Sequence, residues 1–408
     1  MTGQTLRSSE IAVGEKTAGS GYLDAAATAP LRIEARSAMI AAFDDAVNPS
    51  SVHSPGSRAR QLVEQARSEI ADALGARANE VVFTSGGTEA NNLAVIGLAL
   101  ASPRGRHIVT TSIEHPSVLE SCRYLERVFG FELTLLPIDA TGRVDPGEVA
   151  SALRADTTLL SVGLANAEIG TVQAIQEIAE HARLLGVPVH TDAVQAAASL
   201  PVSFAPTAGS WPGASVGAMT IASHKFGGPQ GMGALLVRRN LPLEPILHGG
   251  GQEGGARSGT ENVVGIVGFA AALTASRKDV GTRALALAEC RDELLERVLA
   301  EVPGVRLTGD PIERLPGHAS FVVPGVSGES LLVALDVAGF AVSSGSACAA
   351  GKDEPSPVLL ALGMEPTLAQ TAIRFTLPNP LSSQAIERIV EILGAEVMAA
   401  RGTRTPGM

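Results

Sequence analysis

From about residue 60 the chain alternates between apolar residues at helical spacing and short, uninterrupted apolar runs. Arg60 to Leu74 carries the helical spacing, Glu80-Val81-Val82-Phe83-Thr84 is a β-rich run, and glycines and a second helical stretch, Glu89 to Ala101, follow. The strand signal recurs in His107-Ile108-Val109-Thr110-Thr111, Leu159-Leu160-Ser161-Val162-Gly163, Val187-Pro188-Val189-His190-Thr191 and Met219-Thr220-Ile221-Ala222. Apolar runs separated by helices predict an α/β fold around a parallel sheet buried on both faces. Functional groups in such sheets gather beyond the carboxyl ends of the strands. Ser85-Gly86-Gly87-Thr88, Glu114-His115, Asp192 and His224-Lys225 all fall at those ends.

The most apolar stretch, Val263 to Ala275, is too short to span a bilayer and reads as a buried helix. After about residue 276 the pattern changes to a long amphipathic helix, Leu285 to Leu299, and shorter strands. The expected organisation is a large domain over 31–275 and a smaller α+β domain built from 21–30 and 276–408. Residues 1–20 are expected to be a mobile N-terminal extension, and 402–408 a mobile end.

Composition narrows the function classes. At 408 residues, with 45% hydrophobic and 18% charged residues, the chain suits a globular protein of two domains. The formal charge of −11 argues against a general nucleic-acid-binding surface, though not against a local basic patch. Cys122, Cys290 and Cys348 are spaced for neither a disulfide framework nor a zinc motif, which points to a reducing, cytoplasmic setting. The first twenty residues lack the apolar core of a signal peptide, and no membrane anchor is visible.

Several residues carry candidate chemistry. Ser85-Gly86-Gly87-Thr88-Glu89 is a strand, a glycine turn and a helix start, which suits one phosphate; the alternative is an ordinary capped turn. Asp192 closes a strand, where a carboxylate could keep a pyridinium nitrogen protonated, with Gln195 donating to a ring oxygen; the alternative is a helix cap. Lys225, between an apolar strand and Gly227-Gly228, could form an imine beneath such a ring. His115 could stack on a planar ring or act as a general acid or base, and is otherwise a structural histidine. Arg374, inside the apolar run Ala372-Ile373-Arg374-Phe375-Thr376, needs a carboxylate, either internal or from a substrate. Cys348 sits among small residues that read as an exposed loop, whereas Cys122 and Cys290 lie in helical patterns as inert thiols.

Together these residues resemble the cysteine desulfurases, in their long-loop group, among the class-V aminotransferases of the fold-type I pyridoxal-phosphate enzymes. The resemblance runs from about Tyr22 to Leu393. It includes Tyr22-Leu23-Asp24, Ser85-Gly86-Gly87-Thr88-Glu89, Glu114-His115-Pro116, Glu168-Ile169-Gly170-Thr171 and His190-Thr191-Asp192-Ala193-Val194-Gln195. Ser223-His224-Lys225, Gly249-Gly250-Gly251-Gln252-Glu253, Arg257-Ser258-Gly259-Thr260 and Ser344-Gly345-Ser346-Ala347-Cys348 complete it. It implies a mainly parallel seven-stranded sheet flanked by helices, a smaller α+β domain, and a homodimer. It implies pyridoxal 5'-phosphate held covalently by Lys225, with Asp192 on the ring nitrogen, His115 on the ring face and Gln195 on the phenolic oxygen. Gly87, Thr88, His224 and Thr260 of the other subunit would hold the phosphate. Arg374 would bind the carboxylate of L-cysteine, and Cys348 would take its sulfur as a persulfide, releasing alanine.

The acceptor implied is a protein: an iron–sulfur scaffold, a tRNA or DNA thiolation enzyme, or a natural-product thiolation protein. Two positions depart from the family pattern. Asn166-Ala167 stands where two asparagines precede Glu-Ile-Gly, and Ala222-Ser223 stands where Ser-x precedes His-Lys. The second departure leaves a phosphate hydroxyl missing or supplied by Ser223. The alternatives are β-elimination on selenocysteine or cysteine sulfinate, or a catalytically weak sulfur-transfer scaffold.

Overall fold

The computed structural model describes residues 21–101, 104–197, 199–207, 211–344 and 354–402. Residues 1–20, 403–408 of the end expected to be mobile at 402–408, and Cys348 lie outside them. Seven strands form one sheet: β1 Val81–Thr84, β2 His107–Thr111, β3 Glu132–Leu136, β4 Thr157–Ser161, β5 Val189–Asp192, β6 Ala218–Ala222 and β7 Gly233–Val237. Their order is β1-β7-β6-β5-β4-β2-β3. β3-β2-β4-β5-β6 pair in parallel, whereas β7 runs antiparallel to both β1 and β6. The sheet is therefore mainly parallel, with helices packed on it.

The five expected strands are present, one with the expected bounds and the others with ends shifted by no more than two residues. β3 and β7 were not anticipated. β3 is a half-exposed edge strand and lacks a continuous apolar run; β7, Gly233-Ala234-Leu235-Leu236-Val237, is short and follows the lysine turn directly. Glu89 to Ala101 is not one regular helix. A π-helical turn at Leu93–Gly97 separates Gly87–Asn92 from Leu98–Ala101. Gly97 lies so close to the Glu244 carbonyl that a Cβ there would come within 2.6 Å of it.

The apolar stretch expected to be a buried helix is the helix Val263–Lys278, which buries Ile266, Phe269 and Leu273. Among the described residues no helix is long and apolar enough to cross a membrane. A second sheet, order β10-β9-β8, is built from β8 Arg306–Leu307, β9 His318–Val322 and β10 Ala372–Thr376. The helices Val280–Glu301 and Ser383–Gly402 share with it a separate apolar cluster that includes Leu294, Phe321, Phe375 and Ile389.

The segment from Gly21 joins the two sheets. Leu23 donates to the Ala341 carbonyl and Ala25 to that of Thr376 in β10, while Ala29 donates to the His224 carbonyl and Arg32 to that of Gly227. Its middle, Ala26-Ala27, thereby passes the lysine turn.

Candidate active site

The carboxyl ends of β5 and β6 lie side by side, because Asp192 pairs with Thr220 in register. That register brings Asp192 and the turn after β6 together. The turn, Ser223–Phe226, ends on Gly227 at φ 82°, where a Cβ would come within 2.7 Å of the Pro30 carbonyl. Lys225 Nζ donates to the carbonyls of Ala26 at 2.6 Å and Ala27 at 3.0 Å. Gln195 Nε2 donates to the same Ala26 carbonyl at 3.0 Å. A cavity of about 300 Å³ opens beside Lys225 and Gln195, with Arg32, Arg283 and His318 on its wall.

Asp192 is held at both oxygens. Oδ1 accepts from the Val194 amide at 2.9 Å, and Oδ2 from Asn91 Nδ2 at 2.6 Å. Asn91 Nδ2 also donates to Ser117 Oγ, which lies 2.7 Å from His115 Nδ1. The Ser117 backbone amide donates to that same Nδ1 at 3.1 Å, because His115 caps the helix Pro116–Phe129. An amide can only donate, so Nδ1 accepts and the neutral ring carries its proton on Nε2. Burial, and then Lys225, push the His115 pKa below the usual histidine value, with Asp192 opposing.

Beneath these groups Glu114 accepts from Thr111 Oγ1 and the Gly163 amide, and burial pushes its carboxyl up to about 7. His190, fully enclosed between Ser161 and Thr220, is pushed down to about 4 by burial.

The glycine turn sits at the end of β1. A Cβ on Gly87 would come to 3.0 Å from Val194 Cγ2 and 3.3 Å from Ala222 Cβ, so the turn packs closely on the strand ends that carry Asp192 and Lys225. Thr88 is exposed there, one residue into the helix. His224 Nδ1 lies 3.1 Å from Thr28 Oγ1, and burial, with Lys225 adding to it, pushes its pKa down to about 4.

Ser223 is not brought to the turn. It is fully buried, its Oγ has no partner among the described residues, and a Cβ on Gly228 would fall on that oxygen at 2.0 Å. The side chain facing Gly87 is Ala222, whereas Ser223 Oγ lies against Gly228. Thr260 is exposed and hydrogen-bonds to none of the turn residues of its own chain.

Arg374 on β10 is 2% exposed. Its Nη2 donates to Asp24 Oδ1 at 2.8 Å and its Nη1 to the Ala167 carbonyl at 3.1 Å. The internal carboxylate that its burial required is therefore Asp24. The backbone of Ala167 accepts from His318 Nε2 as well, while its methyl can form no hydrogen bond. Ser343 pairs with Arg374 through both backbone bonds, and Ser356 Oγ donates to Glu168 Oε2. These anchors flank the segment that contains Cys348, itself outside the described residues. The other two cysteines behave as inert thiols: burial pushes Cys122 up to about 12 and raises Cys290.

Sequence reasoning missed Asn91, Ser117, Thr28 and Asp24 as partners. Asn91 alone had a local signal, an amide one helical turn after Thr88.

Residues 21–389 match the aminotransferase class-V family. The cysteine desulfurase IscS of Dictyoglomus turgidum is 42% identical over 374 residues, covering 91% of this chain and 93% of its own. Among solved structures, a NifS-like protein superposes with a TM-score of 0.84 at 31% identity, covering 93% of this chain and 99% of its own. SspA in complex with cysteine superposes with a TM-score of 0.75 at 33% identity, covering 89% of this chain and 100% of its own.

Proposed function

The chain belongs to the class-V aminotransferase family and is a pyridoxal-phosphate-dependent cysteine desulfurase, and from that premise we propose how its residues divide the work. The observation that carries the assignment is the pairing of a lysine amine with a doubly held carboxylate on adjacent strand ends, beside a glycine turn at a helix start. That donor set fits the cofactor's ring and phosphate, and the close packing of Gly87 leaves room only for backbone at the phosphate turn.

Bound there, pyridoxal phosphate supplies an electron sink for the carbon skeleton of the substrate. Lys225 would hold it covalently, and its amine is placed to move a proton at the substrate α-carbon. Asp192 would keep the ring nitrogen protonated, and Asn91 and the Val194 amide hold that carboxylate in place. His115 would cover the ring face and offer the Nε2 proton as a donor. Gln195, whose amide donates to the Ala26 carbonyl in this structure, would donate to the phenolic oxygen. Gly87, Thr88, His224 and Thr260 of the partner subunit would hold the phosphate, and Ser223 Oγ, turned against Gly228, would not.

Arg374 binds the carboxylate of L-cysteine while Asp24 retains one edge of the guanidinium. The Cys348 thiolate attacks the substrate sulfur. A sulfur–sulfur bond forms and the substrate carbon–sulfur bond breaks. The electron pair left on carbon is taken up with a proton to give alanine, and the Cys348 persulfide passes to an acceptor protein.

We further place the protein in the cytoplasm as a homodimer, with the chain divided into a large unit at 31–275 and a smaller one at 21–30 and 276–408. Exposed apolar residues early in the chain support the dimer: Ile33, Ile40, Phe43 (62% exposed) and Val52 (99% exposed).

Purified protein is expected to absorb visible light through its bound cofactor, and Lys225→Ala to abolish that absorption. Cys348→Ala is expected to keep the absorption and lose sulfide release from cysteine. Full desulfurase activity in Cys348→Ala would overturn the nucleophile assignment. Turnover of cysteine against selenocysteine and cysteine sulfinate tests the substrate.

A further inference from the structure

The glycine-rich segment 247–260 is folded on itself and stitched to the phosphate turn of its own chain. Ser258 donates to the Leu247 carbonyl, the Gly251 amide to Ser258 Oγ, and the Gly259 amide to Gln252 Oε1, so the segment forms a closed strap. Two carboxylates fasten it to the neighbourhood of β1. Glu253, at φ 52° in the left-handed region, is held bidentately by Arg67 at 2.7 and 2.9 Å and accepts the Phe83 amide at 2.9 Å. A non-glycine residue persists in that region only where its surroundings hold it there, and the Glu253 side chain is 2% exposed.

The second carboxylate is Glu89. Oε2 accepts the Ser85 amide, inside the phosphate turn, at 2.8 Å, and Oε1 accepts Arg257 Nε, inside the strap, at 2.7 Å. One side chain thus spans the turn that receives a phosphate and the strap that ends on exposed Thr260.

We propose that Glu89, paired with Arg257, is a positioning residue through which filling one subunit's phosphate turn orders the strap that this subunit lends to its partner, making cofactor uptake by the dimer cooperative. The inference rests on the reading above in which Thr260 completes the partner's phosphate site. An anion drawn onto the Gly87 and Thr88 amides fixes the turn, and the turn fixes the Glu89 carboxylate through the Ser85 amide. Arg257 follows, with Glu253 as the fixed end of the strap. The strap then presents Thr260 with less ordering left to do when the second cofactor binds, which is a coupling between two sites.

The test is equilibrium dialysis of pyridoxal phosphate against the full-length apo dimer, with dimer mass and circular dichroism checked for each variant. The wild type is expected to give a Hill coefficient above one, the second site binding about fivefold or more tighter than the first. Glu89→Gln and Arg257→Gln, which remove the same ion pair from opposite sides, are expected to bring the coefficient to one. A wild-type coefficient of one, or variants that keep the wild-type coefficient, would overturn the proposal. Thr260→Ala separates the two ideas. If it binds cofactor as tightly as the wild type, the shared phosphate site is wrong; if it weakens binding while Glu89→Gln stays cooperative, only the clamp is wrong.

Discussion

Asn91 shows what a single residue contributes beyond its own chemistry. Its amide joins Asp192, the acid proposed to face the ring nitrogen, to Ser117 beside His115, and these partners lie 101 and 26 residues away. Lys225, Asp192, His115 and Gln195 were legible because each follows a strand signal or a turn, a local mark. Asn91, Ser117 and Asp24 were not, because a hydrogen bond across such separations leaves no periodicity. The Arg374–Asp24 pair spans 350 residues. Asp24→Ala leaves a buried guanidinium without its carboxylate, and should cost roughly 2–4 kcal/mol in urea unfolding, the lower part of the range reflecting the partial exposure of Asp24.

Glu114 gives a pH signature. Its ordinary value is 4.5 and burial raises it to about 7 in the fold, so between these limits the folded protein holds a proton that the unfolded chain has lost. The stabilisation is present below 4.5 and disappears as pH rises through about 7. The stability of wild-type apo protein relative to Glu114→Gln should therefore fall by up to about 3 kcal/mol between acid and alkaline pH, read from urea midpoints. His190 works in the opposite direction: its contribution is intact above 6.5 and lost as pH falls toward 4. That slope is common to both proteins and cancels in the comparison.

At the scale of elements, β7 does more than close the sheet. Gly233 pairs with Thr84 at the end of β1 and with Ala222 at the end of β6. It therefore sets the distance between the phosphate turn and the lysine turn. A Cβ on Gly233 would come within 2.5 Å of the Gly86 carbonyl carbon, so only glycine allows the turn to lie this close. Gly233→Ala should push the turn away, costing about 1–3 kcal/mol of stability and weakening cofactor binding while Lys225 and Asp192 stay in place. Thermal unfolding and cofactor titration measure the two effects; unchanged cofactor affinity would show that the turn tolerates the shift. The antiparallel direction of β7 was not legible, because an apolar run five residues long has no polarity. The helix Pro116–Phe129 was legible only as the helical pattern around Cys122; its start at Pro116 and its capping by the His115 side chain were not.

At the scale of the molecule, the segment 21–32 ties the second sheet to the lysine turn, and Arg374 binds that segment and Ala167 together. Arg374, the arginine proposed to bind the substrate carboxylate, therefore belongs to a joint between the two sheets and not to either core. The exposed apolar residues from Ile33 to Val52 belong to this scale as well. Phe43→Asp should shift the protein toward monomer in sedimentation and weaken cofactor retention, because Thr260 of the partner subunit is then lost. A variant that stays dimeric would place the interface elsewhere.

Alternating runs and turn residues determined by themselves the α/β class, five strands of the sheet, and the lysine, aspartate and histidine at its carboxyl edge. These follow from local rules, since burial sets the period of an element and glycine or proline marks its end. Only the tertiary structure decided that Ala222 and not Ser223 faces the phosphate turn, that Asp24 neutralises Arg374, and that Glu89 joins the turn to the strap. Each depends on which side chains meet across the sheet register and the chain crossings, and that information resides in packing, not in any window of sequence.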